Sequence, residues 1–523
     1  MPVFPDHRGN TAKENRMAEK RKFPWLAYNL VSLSGAIVAL VAGFIIAFLL
    51  VINAINPIRN VYVGIILYMA LPLALIGGLL IIPVGMYIQW RSEQKEGKIT
   101  YLKWPSIDLN KKRQRNAAMT FIFGTIAFIL ISAVGIYQAY HYTDSVRFCG
   151  LTCHKVMAPE YTTYQNSPHA RVACVACHIG PGVGWYAKSK LAGLYQVYAV
   201  LADVYPRPIP EPISDLRPAR ETCEQCHWPR QFFGSQQRRF NHYLYDKANT
   251  YWPVNLLVKI GGGNPDVAGT RGIHWHMNPW ITIEYIARDK HRQDIPWIKV
   301  TNRKTGVTTI FQDVSAPLSK KSLSLARPRV MDCIDCHNHP SHDFHSPDYV
   351  ADFDIFSGSI DRSIPYIKQV TVNALSKKYR SAKDAYSGIA DSVTDYYLKN
   401  YPALYSHDKK EINRAIKAAQ RGFSGNIFPY MNVRWSEYPN NIGHFISRGC
   451  MRCHDGKHKS GDGLKVIPND CHTCHIILSQ GAGAAEEAEK LDLRTGLNFR
   501  HPVDIGDAWK GGACYECHSG VQP

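Results

Sequence analysis

The feature that most restricts the fold of this 523-residue chain is a set of seven cysteine pairs, each followed at once by a histidine. Six pairs have the spacing C-x-x-C-H, and the first pair has one residue more between its cysteines. Together the pairs use all 14 cysteines. In chain order, motifs 1 to 7 are Cys149/Cys153/His154, Cys174/Cys177/His178, Cys223/Cys226/His227, Cys333/Cys336/His337, Cys450/Cys453/His454, Cys471/Cys474/His475 and Cys514/Cys517/His518.

The spacing C-x-x-C-H is the signature of covalent haem c attachment. The two thiols bond to the two vinyl groups of one porphyrin, and the adjacent histidine reaches the iron from the same loop. Zinc sites, redox dithiols and a disulfide framework are other uses of cysteine pairs, but none of them requires a histidine in the same place seven times. The sequence therefore predicts seven covalently bound haems, or six if the longer motif 1 binds none.

Three long stretches without charged residues precede motif 1, at residues 23–58, 60–90 and 116–143. As a helix rising about 1.5 Å per residue, each can cross a hydrocarbon core about 30 Å thick. The first apolar run, from Leu26 to Ile52, is too long for a signal peptide and is expected to remain as an anchor. The fold class expected is a membrane anchor of three transmembrane helices followed by a multihaem cytochrome c domain, mostly helix and coil with a small β insert.

The distribution of charge predicts the topology. Residues 1–116 contain 15 lysines and arginines against 6 acidic residues, and most of these cations flank the apolar stretches. The positive-inside rule then places the N-terminus in the cytoplasm and residues after about Ser145 in the periplasm of a bacterium, with the anchor in the inner membrane. Fourteen haem propionates would offset the remaining basic surplus, so the net charge of +19 gives no reason to expect nucleic-acid binding.

The motifs and apolar stretches predict five regions. They are a cytoplasmic N-terminus (1–24), a three-helix membrane anchor (25–143), a four-haem domain (144–345) with an insert (228–330), a haem-free helical spacer (346–445) and a C-terminal three-haem domain (446–523). Within the insert, residues 281–287, 296–301 and 307–312 have the composition of short strands.

An electron carrier fills both axial positions of its haem irons, whereas a catalytic haem usually leaves one position open to substrate. Besides the seven motif histidines, fifteen others remain, so the supply is sufficient for all seven irons. Any one of them could instead be a surface or hydrogen-bonding side chain. The candidates are Met157 for motif 1, His169, His274, His276, His339, His342 and His345 for the rest of motifs 1–4, and His444, His458, His472 and His501 for motifs 5–7.

Residues about 141–345, apart from the insert, resemble the NapC/NirT (NapC/NrfH) family of membrane-anchored tetrahaem quinol dehydrogenases. The residues that carry the resemblance are Phe148-Cys149, Pro159-Glu160-Tyr161, Ser167-Pro168-His169, Cys174–His178, the Cys223–His227 site, and Cys333-Ile-Asp-Cys-His337 followed by His342.

The resemblance implies roles for individual residues. It makes His169 a ligand of the fourth haem, His342 a ligand of the third haem and Met157 a ligand of the first. The family also has a lysine near the quinol head about a dozen residues past the histidine of motif 2, a position that Lys190 fits. An acidic partner for this lysine is expected, and Asp203 is the candidate.

Members of that family usually have one anchoring helix and four haems. Three helices and seven haems make this chain similar to the seven-haem inner-membrane cytochromes of metal-reducing bacteria, the ImcH type. The resemblance implies oxidation of menaquinol from the membrane menaquinone pool and transfer of electrons through the haems to periplasmic c-type cytochromes, in anaerobic or extracellular respiration. The alternatives are a terminal reductase of a small oxyanion or metal with one open haem, and a non-catalytic membrane electron-transfer subunit.

Overall fold

The structure is a computed structural model. It describes residues 25–27, 29–55, 67, 70–95, 108–152, 154–180, 183–211, 217–228, 231–232, 234–262, 272–481, 492 and 495–521. The chain divides into two compact units, residues 1–152 and residues 153–523.

The first unit contains three long apolar helices, as predicted. They are α1 (Leu30–Ile55), α2 (Leu71–Lys95) and α3 (Lys112–Asp144). All three are long and apolar enough to cross a membrane. The fold-class prediction of a three-helix anchor is therefore confirmed.

Helices α1 and α2 pack closely because small residues face each other. A Cβ atom on Gly78 would lie only 2.7 Å from the main-chain nitrogen of Ala39, so only glycine permits this approach. Nearby, the hydroxyl of Ser32 donates a hydrogen bond of 2.9 Å to the main-chain oxygen of Ile82. Small residues and interhelical hydrogen bonds commonly stabilise helix pairs in lipid, where apolar burial between helices gives little.

The second unit is mostly helix and coil with two small sheets. Its helices are α4 (His154–Gln165), α5 (Cys174–His178), α6 (Val183–Leu201), α7 (Ala219–Cys223), α8 (Lys320–Leu325), α9 (Cys333–Cys336), α10 (Pro347–Phe356), α11 (Ile367–Ser376), α12 (Ala382–Asn400), α13 (Pro402–His407), α14 (Lys409–Asn426), α15 (Ala508–Gly511) and α16 (Cys514–Cys517). Its strands are β1 (Gln236–Tyr243), β2 (Tyr251–Val258), β3 (Ile281–Ile286), β4 (Trp297–Asn302), β5 (Thr308–Asp313), β6 (Arg329–Val330), β7 (His458–Ser460) and β8 (His475–Gln480).

Strands β3, β4 and β5 lie within one residue of the three strands predicted for the insert. The two sheets have the strand orders β1-β2-β8 and β6-β3-β4-β5-β7, with every pairing antiparallel. Strands β7 and β8 belong to the region of motifs 5–7, and they pair with β5 and β2 of the insert. The insert is thus joined by main-chain hydrogen bonds to the C-terminal haem region, an association that the sequence pattern did not predict.

Helices α10–α14 form a haem-free bundle. Helix α12 begins after Ser381, whose hydroxyl accepts a hydrogen bond from the main-chain N–H of Asp384. Its buried residues recur every four positions, the period of one helix face, and are Ala385, Ile389, Val393 and Tyr397. They pack in one core with buried residues of α11 and α14, so this bundle has an apolar core built without haem.

Candidate haem centres

Six motifs lie on or beside short helical turns that bring the histidine next to the first cysteine. Motifs 2, 4 and 7 form α5, α9 and α16, and motif 3 begins at the end of α7. Motifs 5 and 6 lie on 3-10 turns. In motifs 3 and 4 the main-chain N–H of the histidine donates a 2.8 Å hydrogen bond to the oxygen of the first cysteine. One turn of helix therefore presents both thiols and an imidazole on one side.

The predicted attachment cysteines differ in exposure. The polypeptide does not enclose the side chain of Cys226, which is exposed, whereas a cofactor-binding residue is commonly buried. The reason is its place in the turn after α7, where the main-chain N–H of Cys226 donates a 3.1 Å hydrogen bond to the oxygen of Cys223. A thiol must be accessible to react with a vinyl group, so this exposure is compatible with haem attachment. The other exposed cysteines are Cys177, Cys471 and Cys517.

Motif 1 takes a different backbone form. Residues Phe148–Thr152 form a π-helical turn, which holds one more residue than an α-helical turn. The extra residue between Cys149 and Cys153 is accommodated within this turn. Cys153 and the side chain of His154 lie outside the described residues.

In each of motifs 2 to 7, the motif histidine faces a second histidine ring. The distances between ring centres fall in the narrow range of 5.8 to 6.3 Å. The facing pairs are His178/His342 (6.3 Å), His227/His169 (6.0 Å), His337/His274 (6.3 Å), His454/His276 (5.8 Å), His475/His444 (6.2 Å) and His518/His501 (6.1 Å).

This separation fits one iron atom between the two rings. A metal–nitrogen bond to histidine is about 2 Å long and the ring centre lies about 1.1 Å behind the nitrogen, so two imidazoles on one iron have centres about 6 Å apart. Rings packed directly on each other commonly lie closer, as His345 and Tyr349 do at 4.1 Å. The donor set therefore fits haem iron with two axial histidines.

Hydrogen bonds orient the second ring of the pairs. The Nδ1 atoms of His169, His342 and His501 lie 3.0, 2.9 and 2.7 Å from the main-chain oxygens of Pro340, Glu160 and Val503. A carbonyl oxygen only accepts, so in His169 and His342 Nδ1 carries the proton and Nε2 keeps its lone pair. Nδ1 of His501 also lies 3.3 Å from the main-chain nitrogen of Val503, whose N–H can donate to it. Metal-binding histidines are commonly fixed in this way.

Burial favours the neutral ring that a metal requires. It lowers the pKa of His342 to about 4. Burial and the neighbouring His444 lower the pKa of His475 to about 4. At neutral pH both rings are uncharged and their lone pairs are available.

Motifs 2 to 7 follow one another in space in the same order as in sequence. In each consecutive pair of motifs, two thiols lie close enough for the charge of one to affect the pKa of the other. These thiols are Cys177 and Cys223, Cys223 and Cys333, Cys336 and Cys450, Cys450 and Cys474, and Cys471 and Cys514. The six sites therefore form one continuous series.

Two ring partners differ from those implied by the family resemblance. His169 was expected at the fourth haem, but it faces His227 of motif 3. His342 was expected at the third haem, but it faces His178 of motif 2. The structure thus places the rings of His169 and His342 beside the motifs that neighbour those implied by the family, because the turn after α4 and the loop after α9 bring them there.

His458 does not have a free ring nitrogen. Its Nδ1 lies 2.8 Å from a carboxylate oxygen of Asp455, and its Nε2 lies 2.7 Å from the main-chain oxygen of Ile295. Burial alone would lower the pKa of His458, but these hydrogen bonds raise it. The structure thus contradicts the prediction that His458 binds iron, because both nitrogens already act in protein hydrogen bonds.

The remaining candidates are placed as follows. His444 and His501 face motif histidines, as expected. His472 lies in motif 6 itself, with its Nδ1 3.9 Å from Asp470. Met157 lies on α4, three residues after His154.

His274 and His276 were expected beside motifs 1–4. His274 does face motif 4, but His276 faces motif 5 in the C-terminal region. In the sequence, this arrangement could have been found from the pattern His274-x-His276, because two rings that are two residues apart can bind at two different sites. The two rings face motifs of different clusters because β2 pairs with β8, and this strand pairing was not predicted.

The residues proposed for quinol are only partly described. Lys190 lies on α6, but its side chain lies outside the described part of the structure. The carboxylate of Asp203 accepts a hydrogen bond from the guanidinium of Arg207, and its side chain is 69% exposed. The neighbouring Lys188 has its ammonium 5.2 Å from the ring centre of Trp185.

A half-buried acidic pair, Glu160 and Glu211, lies beside the motif 2 site. Burial raises the pKa of Glu160 to about 7, and burial together with the charge of Glu160 raises that of Glu211 to about 8. Nδ1 of His339 lies 3.5 Å from a Glu211 carboxylate oxygen. Carboxyl groups in this range exchange protons near neutral pH. Sequence reasoning missed them, since burial alone distinguishes them from other glutamates.

Comparison with known proteins relates the chain to c-type cytochromes. Residues 111–208 match the model of the NapC/NirT cytochrome c family, N-terminal region. The cytochrome c-type protein NrfH of Wolinella succinogenes is 28% identical over 122 residues, covering 23% of this chain and 68% of the relative. No solved structure matches.

A second curated relative covers almost the whole chain. The cytochrome c-type protein ImcH of Geobacter sulfurreducens is 43% identical over 499 residues, which are 95% of this chain and 96% of the relative. Multiple haem-attachment motifs, facing histidine pairs and candidate membrane helices are features of a membrane-anchored, multihaem electron-transfer protein. This chain therefore belongs to the ImcH-type family of c-type cytochromes, and its residues 111–208 are of the NapC/NirT type.

Proposed function

We propose that this protein is a menaquinol dehydrogenase of the bacterial inner membrane that passes electrons to periplasmic c-type cytochromes. The observation that carries the proposal is the continuous series of six facing histidine pairs along motifs 2 to 7. Such a series suits conduction rather than substrate binding, because two histidines on an iron leave no position for a substrate. The family match to NapC/NirT cytochromes supports quinol as the electron donor.

In this proposal each motif binds one haem c through its two cysteines, which gives seven haems. The motif histidine would hold the iron, and in motifs 2 to 7 the facing histidine would hold it as well. At motif 1 the proposed ligand besides the motif histidine is the thioether of Met157 on α4. When bound, each haem supplies a site that accepts and releases one electron.

Quinol oxidation releases two electrons and two protons, so the protein must accept protons near the site where quinol binds. We assign this role to Lys190 on α6, with Asp203 beyond the end of the same helix as its acidic partner. Many side chains of α6 are apolar and exposed, including Leu191, Leu194 and Tyr198, which suits a surface next to lipid. General acid–base groups contribute about 10²- to 10⁴-fold to such proton transfers.

The proposed orientation follows the positive charge. The cations before α1 and between α2 and α3 would lie in the cytoplasm, so the end of α3 and all seven motifs would lie in the periplasm. Covalent haem attachment on that side makes soluble periplasmic cytochromes the natural electron acceptors.

A terminal reductase with an open haem is less well supported. The six motif histidines whose rings the structure describes all face another histidine, and only motif 1 lacks a described pair. An open site would therefore be restricted to motif 1. A non-catalytic subunit remains the second candidate, because its haem series would be the same and only the electron source would differ.

Reduction by quinol separates these candidates. Anaerobic proteoliposomes containing the full chain are mixed with a reduced menaquinol analogue, with and without a quinol-site inhibitor, and haem absorbance is followed. The proposal predicts rapid reduction that the inhibitor blocks. Failure of quinol to reduce haems that dithionite still reduces would contradict it and would favour a subunit that takes its electrons from another protein.

A further inference from the structure

We propose that His274 and His276 provide the second axial ligands of the haems at motifs 4 and 5, and that electrons cross between the two haem clusters at this turn. The inference rests on the proposed electron conduit and names its crossing point. The first cluster comprises motifs 1–4 and the second comprises motifs 5–7. In sequence they are separated by more than a hundred residues, from His337 to Cys450.

The two rings point to different clusters from a single 3-10 turn, Ile273–Met277. His274 faces His337 with ring centres 6.3 Å apart and planes nearly parallel at 7°. His276 faces His454 with centres 5.8 Å apart and planes at 78°. Because the ligands are two residues apart, their Cα atoms can be separated by at most about 7 Å. The distance between the two haem sites is therefore fixed by one short piece of backbone.

Both rings are oriented by the main chain of the insert. Nδ1 of His274 lies 2.6 Å from the oxygen of Ile260, and Nδ1 of His276 lies 2.7 Å from the oxygen of Ile273. Nε2 is thus left for the metal in each ring. The main-chain N–H groups of Ile273 and His274 also donate to the oxygens of Lys259 and Gly261, at 2.8 and 3.1 Å.

A glycine permits this close packing of the turn. Gly262 has a φ of +101°, which side chains rarely adopt, and a Cβ atom there would lie 2.7 Å from the main-chain nitrogen of Trp275. Any larger residue would push the turn away from the strand end. The backbone of the insert is therefore shaped to hold the two histidines between the clusters.

Motifs 4 and 5 are also tied directly to each other. Arg452, inside motif 5, donates a 2.7 Å hydrogen bond to the main-chain oxygen of Asp335, inside motif 4. Asn441 donates to the same oxygen at 3.1 Å. The buried carboxylate of Asp335 accepts hydrogen bonds from Arg292 and Arg329, at 2.7 and 2.9 Å.

This network makes the junction rigid for a physical reason. Hydrogen bonds to charged groups are stronger than those between neutral groups, and losing one partner leaves a buried charge unpaired. Arg452 is only 8% exposed and Asp335 only 2%. Motion of motif 5 relative to motif 4 would break the bond from Arg452 to Asp335. The spacing of the two sites is therefore held both by the turn and by this contact between the motifs.

The ligand assignment is tested on oxidised, purified full-length protein by magnetic circular dichroism and electron paramagnetic resonance, without quinol. His274→Gly and His276→Gly are each expected to convert one low-spin haem to high-spin, and millimolar imidazole is expected to restore the low-spin signal. His291→Gly, an exposed histidine in the same insert, is the matched control and should leave the spectra unchanged. Unchanged spin states in His274→Gly or His276→Gly would overturn the assignment.

The crossing itself is tested by the order of reduction. In His276→Gly, quinol should reduce the first cluster at the normal rate while the second cluster follows at least tenfold more slowly, with imidazole restoring the rate. Equal rates for both clusters despite a high-spin haem would overturn the route. If quinol fails to reduce even the unaltered protein, the proposed function fails, whereas the spin-state result still decides the ligand assignment.

Should His276→Gly fail to accumulate, His276→Met keeps the test decisive. A thioether ligand maintains the low-spin state and raises the reduction potential of the haem to which it binds. One haem shifted to higher potential supports the assignment, and an unchanged set of potentials overturns it.

Discussion

His342 and His178 face each other with ring centres 6.3 Å apart, while Nδ1 of His342 lies 2.9 Å from the main-chain oxygen of Glu160. These contacts join three segments that are far apart in sequence: the loop after motif 4, motif 2 and helix α4. The position of one imidazole thus depends on the folding of the whole first cluster, and the second ligand cannot be inferred from its distance in sequence to a motif.

Replacement of His342 by alanine is expected to convert the haem of motif 2 to high-spin and to leave the others low-spin, because that iron loses its second nitrogen. Magnetic circular dichroism of the oxidised protein measures the change. His345→Ala is the control, since its ring stacks on Tyr349 instead of facing a motif histidine.

The same variant separates the two possible pairings. If the cysteines of motif 2 are also replaced, the high-spin signal of His342→Ala should disappear with its haem. The high-spin signal could instead disappear when the cysteines of motif 3 are replaced. In that case the pairing of His342 with motif 2 is wrong, and its pairing with the third haem, as the family implies, is right.

Lys190→Leu is expected to slow reduction by quinol about tenfold or more, because the side chain that assists deprotonation is lost. Stopped-flow absorbance in proteoliposomes gives the rate, and the pyridine haemochrome assay checks that haem content is intact. Lys188→Leu, on the same helix, is the matched control and should change the rate much less. Equal effects of the two substitutions would remove Lys190 from the proposed mechanism.

The haem-free bundle depends on a buried ion cluster. The ammonium of Lys368 lies 2.9 Å from Asp348 and 2.7 Å from Asp352, and its side chain is 2% exposed. Lys368→Met should lower the free energy of unfolding by about 3–5 kcal/mol, because two carboxylates lose their cation in a buried site. Thermal unfolding followed by circular dichroism measures the loss.

Two controls accompany that substitution. Lys410→Met changes an exposed lysine of the same bundle and should have almost no effect on stability.

Asp348, Asp352 and His242 also lie close enough together to suggest a metal site. Because the ammonium of Lys368 already lies between the two carboxylates and binds both, removal of metal ions with EDTA should not change the unfolding temperature. A clear decrease would contradict this account.

Asp354 gives the bundle a pH dependence. Burial raises its pKa to about 6, although Arg421 acts in the opposite direction. Between pH 3.8 and 6 the folded protein therefore holds a proton that the unfolded chain has lost, so this group's stabilising contribution is complete below pH 3.8 and is lost as the pH rises through 6.

Asp354→Asn should remove this dependence. Below pH 3.8, where the carboxyl group is protonated in both the folded and the unfolded chain, the variant and the original protein should unfold at nearly the same temperature. At pH 8 the variant should be more stable by about 1 kcal/mol, a modest value because solvent partly screens the charge. A variant that is less stable at pH 8 would show that the ionised carboxylate is stabilising.

The motifs and the anchor were predictable from sequence because each is local. Seven cysteine pairs and three apolar stretches can be recognised without knowing how distant segments pack. Strands β3 to β5 were predictable for the same reason, since their alternating composition lies within six residues each.

The second ligands were not local. His458 has the right residue type and lies close to a motif, but the main-chain oxygen of Ile295 and the carboxylate of Asp455 bind both its nitrogens. His276 lies far from motif 5 in sequence and yet faces it, because β2 pairs with β8 and brings the insert to the C-terminal region. Pairing between strands more than two hundred residues apart could not be inferred from composition.

The central claim is that six haem irons are closed on both sides by histidine and form one electron path. Carbon monoxide binding to the dithionite-reduced protein in membranes tests it most directly, because the gas binds only irons with an open or easily displaced ligand. The account predicts that at most one haem, that of motif 1, binds carbon monoxide, and that the other six remain low-spin. Binding to two or more haems would contradict the claim.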